Sequence, residues 1–159
     1  IIIYDLGLDV TEINQIKNWS KCDLVDIKSI VQNLPFDGYL DPKCYAFKCL
    51  CLVDARKYGT NIFWLDSGTC ALQSIKSVYD IINNEDIFCV GDTHLNKNYT
   101  SRRCSEIMDA SENELNDRQL SAGIIGYKNN GKYSKIKSQD VNTYLNQFGD
   151  FTSKYFRRN

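Results

Sequence analysis

Short apolar runs that stop on an acid, separated by stretches of helical period, constrain this chain more than any other feature. Ile1-Ile2-Ile3-Tyr4 runs into Asp5-Leu6-Gly7, and Asn61-Ile62-Phe63-Trp64-Leu65 runs into Asp66-Ser67-Gly68. Ile87-Phe88-Cys89-Val90 runs in the same way into Gly91-Asp92. A continuous apolar run of this length, bounded by turn residues, reads as a strand buried on both faces. Leu24-Val25-Asp26-Ile27 is a further short strand. Ala122-Gly123-Ile124-Ile125-Gly126 is another apolar run, ahead of the turn Asn129-Asn130-Gly131.

The intervening segments carry helix signals. Ile13, Ile16 and Trp19 recur along one face behind Thr11, a residue type that caps helices. A second helix is predicted from about Lys43 to Tyr58, stopped by Gly59, and a third from about Gln73 to Asn83. The third carries Ile75, Val78 and Ile82 on one face. Residues 93–117 read as polar loop with a short helix around Ser105 to Ala110, and a last helix is predicted from about Lys135 to Phe148. Strand and helix alternating at this spacing predict an α/β domain: a mostly parallel sheet with helices on both faces.

Composition narrows the function classes. The 159 residues suit a single domain, residues 1–159, of ordinary size. With 19 Lys+Arg against 20 Asp+Glu, the formal charge of −1 excludes a generally basic nucleic-acid binder, so no nucleic-acid partner is expected. The 43% hydrophobic content argues against intrinsic disorder. No apolar run approaches the ~18–20 residues that span a bilayer, so no membrane segment is expected within the chain. A soluble domain of the cytoplasm or the secretory lumen is expected, with neither compartment favoured. Ile1 without a preceding Met reads as the start of a processed or excised piece.

Seven cysteines are present without any C-x-x-C pair. Cys22, Cys49, Cys51, Cys70 and Cys89 lie in apolar stretches and are expected as buried thiols acting as small hydrophobes. One or two disulfides are the alternative in an oxidising compartment. In Cys49-Leu50-Cys51 the two side chains of a helix point apart, which disfavours a shared zinc.

The chemistry is expected where the acids are. In open parallel sheets ligands bind beyond the carboxyl ends of the strands. If the strands run parallel, Asp5, Asp66 and Asp92 share one rim, and carboxylates so placed need a cation or hydroxyl donors between them. The competing reading is that Asp is common where strands turn into loops. There is no G-x-G-x-x-G after the first strand, no phosphate loop and no G-x-S-x-G elbow. The single histidine, His94, can join Asp92 on a metal or simply hydrogen-bond within its loop. An aspartyl-phosphate role for Asp66 also stays open.

Four segments occur in order: Tyr4-Asp5-Leu6-Gly7-Leu8, Tyr45-Ala46-Phe47-Lys48, Phe63-Trp64-Leu65-Asp66-Ser67-Gly68 and Leu120-Ser121-Ala122-Gly123-Ile124-Ile125-Gly126-Tyr127. Together they resemble glycosyltransferase-like domains of the GT-A, nucleotide-diphospho-sugar transferase fold, over about residues 1 to 135. The resemblance implies a Rossmann-like sheet and transfer of a sugar from a nucleotide-sugar donor to a hydroxyl of a glycan, lipid or protein. Tyr4, Asp5, Leu6 and Gly7 would receive the nucleotide, and Lys48 the diphosphate. Asp66 falls where relatives carry an Asp-x-Asp motif holding Mn²⁺ or Mg²⁺. Position 68 is Gly, so only one of the two carboxylates is present. Ser67 and Gly68 would then bind sugar or phosphate through hydroxyl and backbone N–H groups, and Ser121, Ala122 and Gly123 would line the donor-sugar pocket. Asn116 to Gln119 would add polar groups there. Asp92 would bind sugar or deprotonate an acceptor hydroxyl. Similar domains continue with a His/Asp/Gln-containing acceptor segment, expected beyond Asn159. The alternative is a non-catalytic carbohydrate-binding or structural domain of the same fold.

Overall fold

The structure, a computed structural model, describes residues 1–31, 34 and 37–132, which fall into two units, residues 1–59 and 60–132. The helix predicted over Lys135 to Phe148 lies outside the described residues. The described chain is mixed α/β, with a two-stranded parallel sheet in the first unit and a three-stranded antiparallel sheet in the second.

In the first unit β1 (Ile2–Asp5) pairs with β2 (Asp23–Asp26) from Ile2↔Asp23 to Asp5↔Asp26. The parallel crossover between them carries helix α1 (Val10–Lys17). Asp9, rather than Thr11, starts this helix. Its carboxylate accepts the Glu12 N–H at 2.8 Å while the Glu12 carboxylate accepts the Asp9 N–H at 2.9 Å. This capping box satisfies two N–H groups that the first turn would otherwise leave open. Helix α2 (Phe47–Ala55) buries Leu50, Cys51, Val53 and Asp54. Tyr39, Leu50 and Val53 form a fully buried cluster, with Val31, Leu40 and Ala46 packed against it.

In the second unit the strand order is β3 (Asn61–Leu65), β5 (Arg118–Lys128), β4 (Ile87–Leu95). Both pairings are antiparallel, which corrects the expectation of a mostly parallel sheet. An apolar run reports that a strand is buried and says nothing of its direction. β5 inserts between β3 and β4 and runs against both, so β3 and β4 themselves point the same way. Helix α3 (Lys76–Glu85) covers one face. There Phe63 meets Tyr79 and Phe88 edge-on, with ring centroids 6.1 and 5.9 Å apart, and Ile82 sits over Gly126. By alternation, Ile62, Trp64, Ile125 and Tyr127 face the other way. Residues read as polar loop hold α4 (Arg102–Met108), capped by Ser101, and α5 (Glu112–Asn116), capped by Ser111.

All seven cysteines are free. Of the five expected to be buried, only Cys51 is; Cys22 and Cys89 are half-buried, and Cys49 and Cys70 are exposed. The helix explains the C-x-C pair, since neighbours two apart point to different sides. No described helix is long and apolar enough to cross a membrane.

Burial and the adjacent Asp54 charge push the Cys51 thiol up from 9.0 to about 12. Burial, then the Asp54 carboxylate, also raises the Tyr4 hydroxyl well above its ordinary value. Each group therefore keeps its proton in the folded chain at a pH where the unfolded chain has lost it. This contribution to stability is complete below pH 9.0 and is lost as pH rises towards about 12. Urea midpoints measured across that window are expected to fall, and to fall less steeply in Cys51→Ala. Equal slopes in the two proteins would show that the thiol does not titrate with unfolding.

Candidate functional site

Asp66 is half-buried and stands directly after the last residue of β3. Its backbone N–H donates to the Gly123 carbonyl at 2.9 Å, continuing the β3–β5 ladder past Leu65↔Ile124. Its carbonyl accepts the Thr69 N–H at 2.8 Å, closing the turn through Ser67 and Gly68. The Trp64 indole N–H donates to Asp66 Oδ1 at 2.6 Å. Residues two apart in a strand share a face, so the pair follows from strand geometry. On the far side, a Cβ placed on Gly123 would lie 3.1 Å from Asp66 Oδ2. The carboxylate thus sits against the one position of β5 where a missing side chain leaves it room.

That stretch of β5 is irregular towards β4. Between the pairs Cys89↔Ile125 and Gly91↔Leu120, Val90 alone opposes Ser121, Ala122, Gly123 and Ile124. Between Gly91↔Leu120 and Leu95↔Arg118 the excess reverses, and Asp92, Thr93 and His94 oppose Gln119. Bulges of this kind turn side chains and backbone groups out of the ladder and recur beside functional sites. Three of the expected pocket residues, Ser121, Ala122 and Gly123, therefore occupy a bulge beside Asp66. An open, partly polar hollow lies along the continuation, lined by Asn96, Asp117, Arg118, Gln119 and Leu120.

Asp92 differs from its expected placement. β4 runs on to Leu95, so Asp92 lies within the strand's irregular stretch rather than at its end. The N–H groups of His94 and Thr93 both donate to Oδ1, and they hold the carboxyl below its ordinary value. Donors of this kind favour the anion and make it a weaker proton acceptor. His94 Nε2 stands 3.9 Å from the same oxygen, and its ring packs edge-on to Tyr99 at 5.2 Å. The histidine, within the irregular stretch of β4, is thus a partner of Asp92 and Tyr99.

The remaining expected site residues belong to the first unit. Asp5 Oδ1 accepts the N–H groups of Gly7 and Leu8, both at 2.7 Å, folding the loop after β1 back on itself. Gly7 takes φ +139°, a conformation that side chains disfavour, so glycine is required by the backbone there. Leu6 is half-buried. The Tyr4 hydroxyl donates to Asp54 Oδ2 at 3.0 Å, and the Lys57 ammonium donates to Oδ1 at 2.7 Å. Lys48 is half-buried with Nζ over the Tyr45 ring, 5.2 Å from its centroid.

Two residues escaped the sequence reading. Asp54 is only 5% exposed, and its signal was an acid directly after Leu50-Cys51-Leu52-Val53 in a helix. Trp64 was read as strand core, although its two-residue spacing from Asp66 places both on one face. As for a divalent cation, Asp66 brings a single carboxylate, one oxygen of which already accepts the Trp64 N–H. Among the described residues no three His, Cys, Asp or Glu side chains gather as a metal site. These donors do not build a metal centre by themselves, and no step below runs through a metal. Compared with known proteins, the chain matches no family model, no curated protein and no solved structure.

Proposed function

We propose that this chain is the donor-binding part of a glycosyltransferase with a Rossmann-like GT-A architecture, moving a sugar from a nucleotide-diphospho-sugar to a hydroxyl acceptor. The observation that carries the reading is the junction of β3 and β5. Two of the four resembling segments meet there, with Asp66 against Gly123 and the Ser121–Gly123 bulge beside it. A fixed carboxylate next to a glycine gap and an irregular stretch of strand suits a polyhydroxylated ligand, whose hydroxyls donate to the anion. In this reading Asp66 accepts donor hydroxyls, Ser67 and Gly68 supply hydroxyl and N–H groups, and Ser121 borders the sugar.

Calorimetric titration with UDP, GDP and their sugars, with and without Mn²⁺, is expected to show binding by the whole chain that Asp66→Asn weakens. No binding of any of these ligands by the folded chain would sink the reading. A second reading, a carbohydrate-binding domain without catalysis, is favoured by the hydrogen-bonded, weakly basic Asp92. The two separate on donor hydrolysis: a transferase releases free sugar slowly from its nucleotide-sugar, whereas a binder releases none.

A further inference from the structure

We propose that Trp64 is a positioning residue for Asp66, holding its carboxylate in the one orientation that can meet a ligand; this rests on the donor-binding reading above. Three constraints act on Asp66 at once. Its backbone is locked on both sides, by the N–H to Gly123 and by the carbonyl to Thr69. Its side chain accepts a short charge-assisted bond from the indole N–H, to Oδ1 at 2.6 Å. The third constraint is steric: Oδ2 lies against Gly123, where a Cβ would stand 3.1 Å away.

With the backbone fixed, the rotamer is the carboxylate's remaining freedom, and the indole bond acts on it directly. Trp64 can do this because its own place in β3 is fixed by pairing with Ile125. A bulky, two-torsion side chain seated in a sheet is a stiffer support than a loop residue would be. Loss of a hydrogen bond to a charged group commonly weakens an interaction about tenfold or more.

The chain has two tryptophans, Trp19 and Trp64, and Trp19 is 57% exposed, so Trp19→Phe leaves Trp64 as the single indole reporter. In that background, Asp66→Asn, which replaces the anion by a neutral amide, is expected to shift Trp64 emission. Identical emission spectra with and without Asp66→Asn would overturn the pairing, and no ligand is needed for this arm. In the otherwise unchanged chain, Trp64→Phe keeps a packed ring but loses the N–H. It is expected to weaken the best-binding of UDP, GDP and their sugars about tenfold or more. Unchanged affinity in a folded Trp64→Phe protein overturns the positioning role while leaving the function reading intact. Absence of binding by the unmodified chain overturns the function reading and, with it, the role assigned to Trp64. If Trp64→Phe does not fold, the emission arm alone decides the pairing, and Asp66→Asn affinity decides whether the paired carboxylate meets ligand.

Discussion

Gly126→Ala is expected to destabilise the second unit by about 1–3 kcal/mol, and Gly126→Val by more. Gly126 is buried in β5, the central strand of its sheet, paired with Phe63 on one side and Phe88 on the other. A Cβ at this position would overlap the Ile82 Cδ1 methyl, lie 2.9 Å from Ile82 Cγ1, and press on Phe88 Cβ at 3.3 Å. Ile82 is fully buried, so its methyl cannot swing into solvent to make room. The helix would have to lift from the sheet instead. Ile82→Val removes the methyl that clashes and alone costs about 0.5–1.5 kcal/mol. Residues in contact do not add, so the double variant Gly126→Ala/Ile82→Val should lose less than the two single losses together. Urea denaturation of the four proteins checks this. Strict additivity would show that α3 does not rest on β5 at this point.

Asp54→Leu is the second large effect, expected to cost about 1–3 kcal/mol. The buried carboxylate accepts from the Tyr4 hydroxyl and the Lys57 ammonium, so it ties β1 to the end of α2. The two bonds are unequal. The Lys57 side chain is 50% exposed, so water screens its pair, and Lys57→Ala should cost less than about 1 kcal/mol. The Tyr4 hydroxyl is part-buried, and losing its acceptor leaves a donor with little water to replace it. Tyr4→Phe should therefore soften the effect of Asp54→Leu, because no donor is then left behind. A Lys57→Ala loss as large as that of Asp54→Leu would show that the exposed ion pair, and not the tyrosine bond, holds this end of the helix.

The elements most legible in the sequence were those with strong local chemistry. Leu65 ends β3 and Asp66-Ser67-Gly68 turns, as the acid, hydroxyl and glycine after an apolar run indicate. The apolar face of α3 was legible from Ile75, Val78 and Ile82, of which Ile82 reaches the sheet. Other local signals were present but outranked. Asp9 and Glu12 stand three apart, the capping-box spacing, yet Thr11 drew attention because it sits closer to the apolar positions. Asp92 seemed to end a strand because Gly91 interrupts the apolar run. The ladder nevertheless resumes at Leu95 opposite Arg118, since backbone pairing does not require apolar side chains.

The candidate site was legible by residue type and not by geometry. Asp66 and the Ser121–Gly123 segment stood out separately in the sequence, more than fifty positions apart. Their meeting depends on β5 pairing with β3 in one register, with Leu65 opposite Ile124. A shift of one residue would have turned Asp66 away from Gly123. The bulge against β4 is a property of two strands together, and neither strand carries it alone. Asp5 shows the converse: an acid that looked available for a ligand accepts two N–H groups of its own loop.

By itself, the sequence determined where β1, β2, β3 and α3 lie, because burial and turn chemistry act over a few neighbouring residues. It also determined that Asp5 and Asp66 stand where β1 and β3 end. Only the tertiary structure decided the directions of the strands, the placing of β5 between β3 and β4, and which acids are engaged by protein donors. Those outcomes rest on contacts between segments far apart in the chain. Apolar periodicity, which records how much of each residue is buried, carries no information about the segment that buries it.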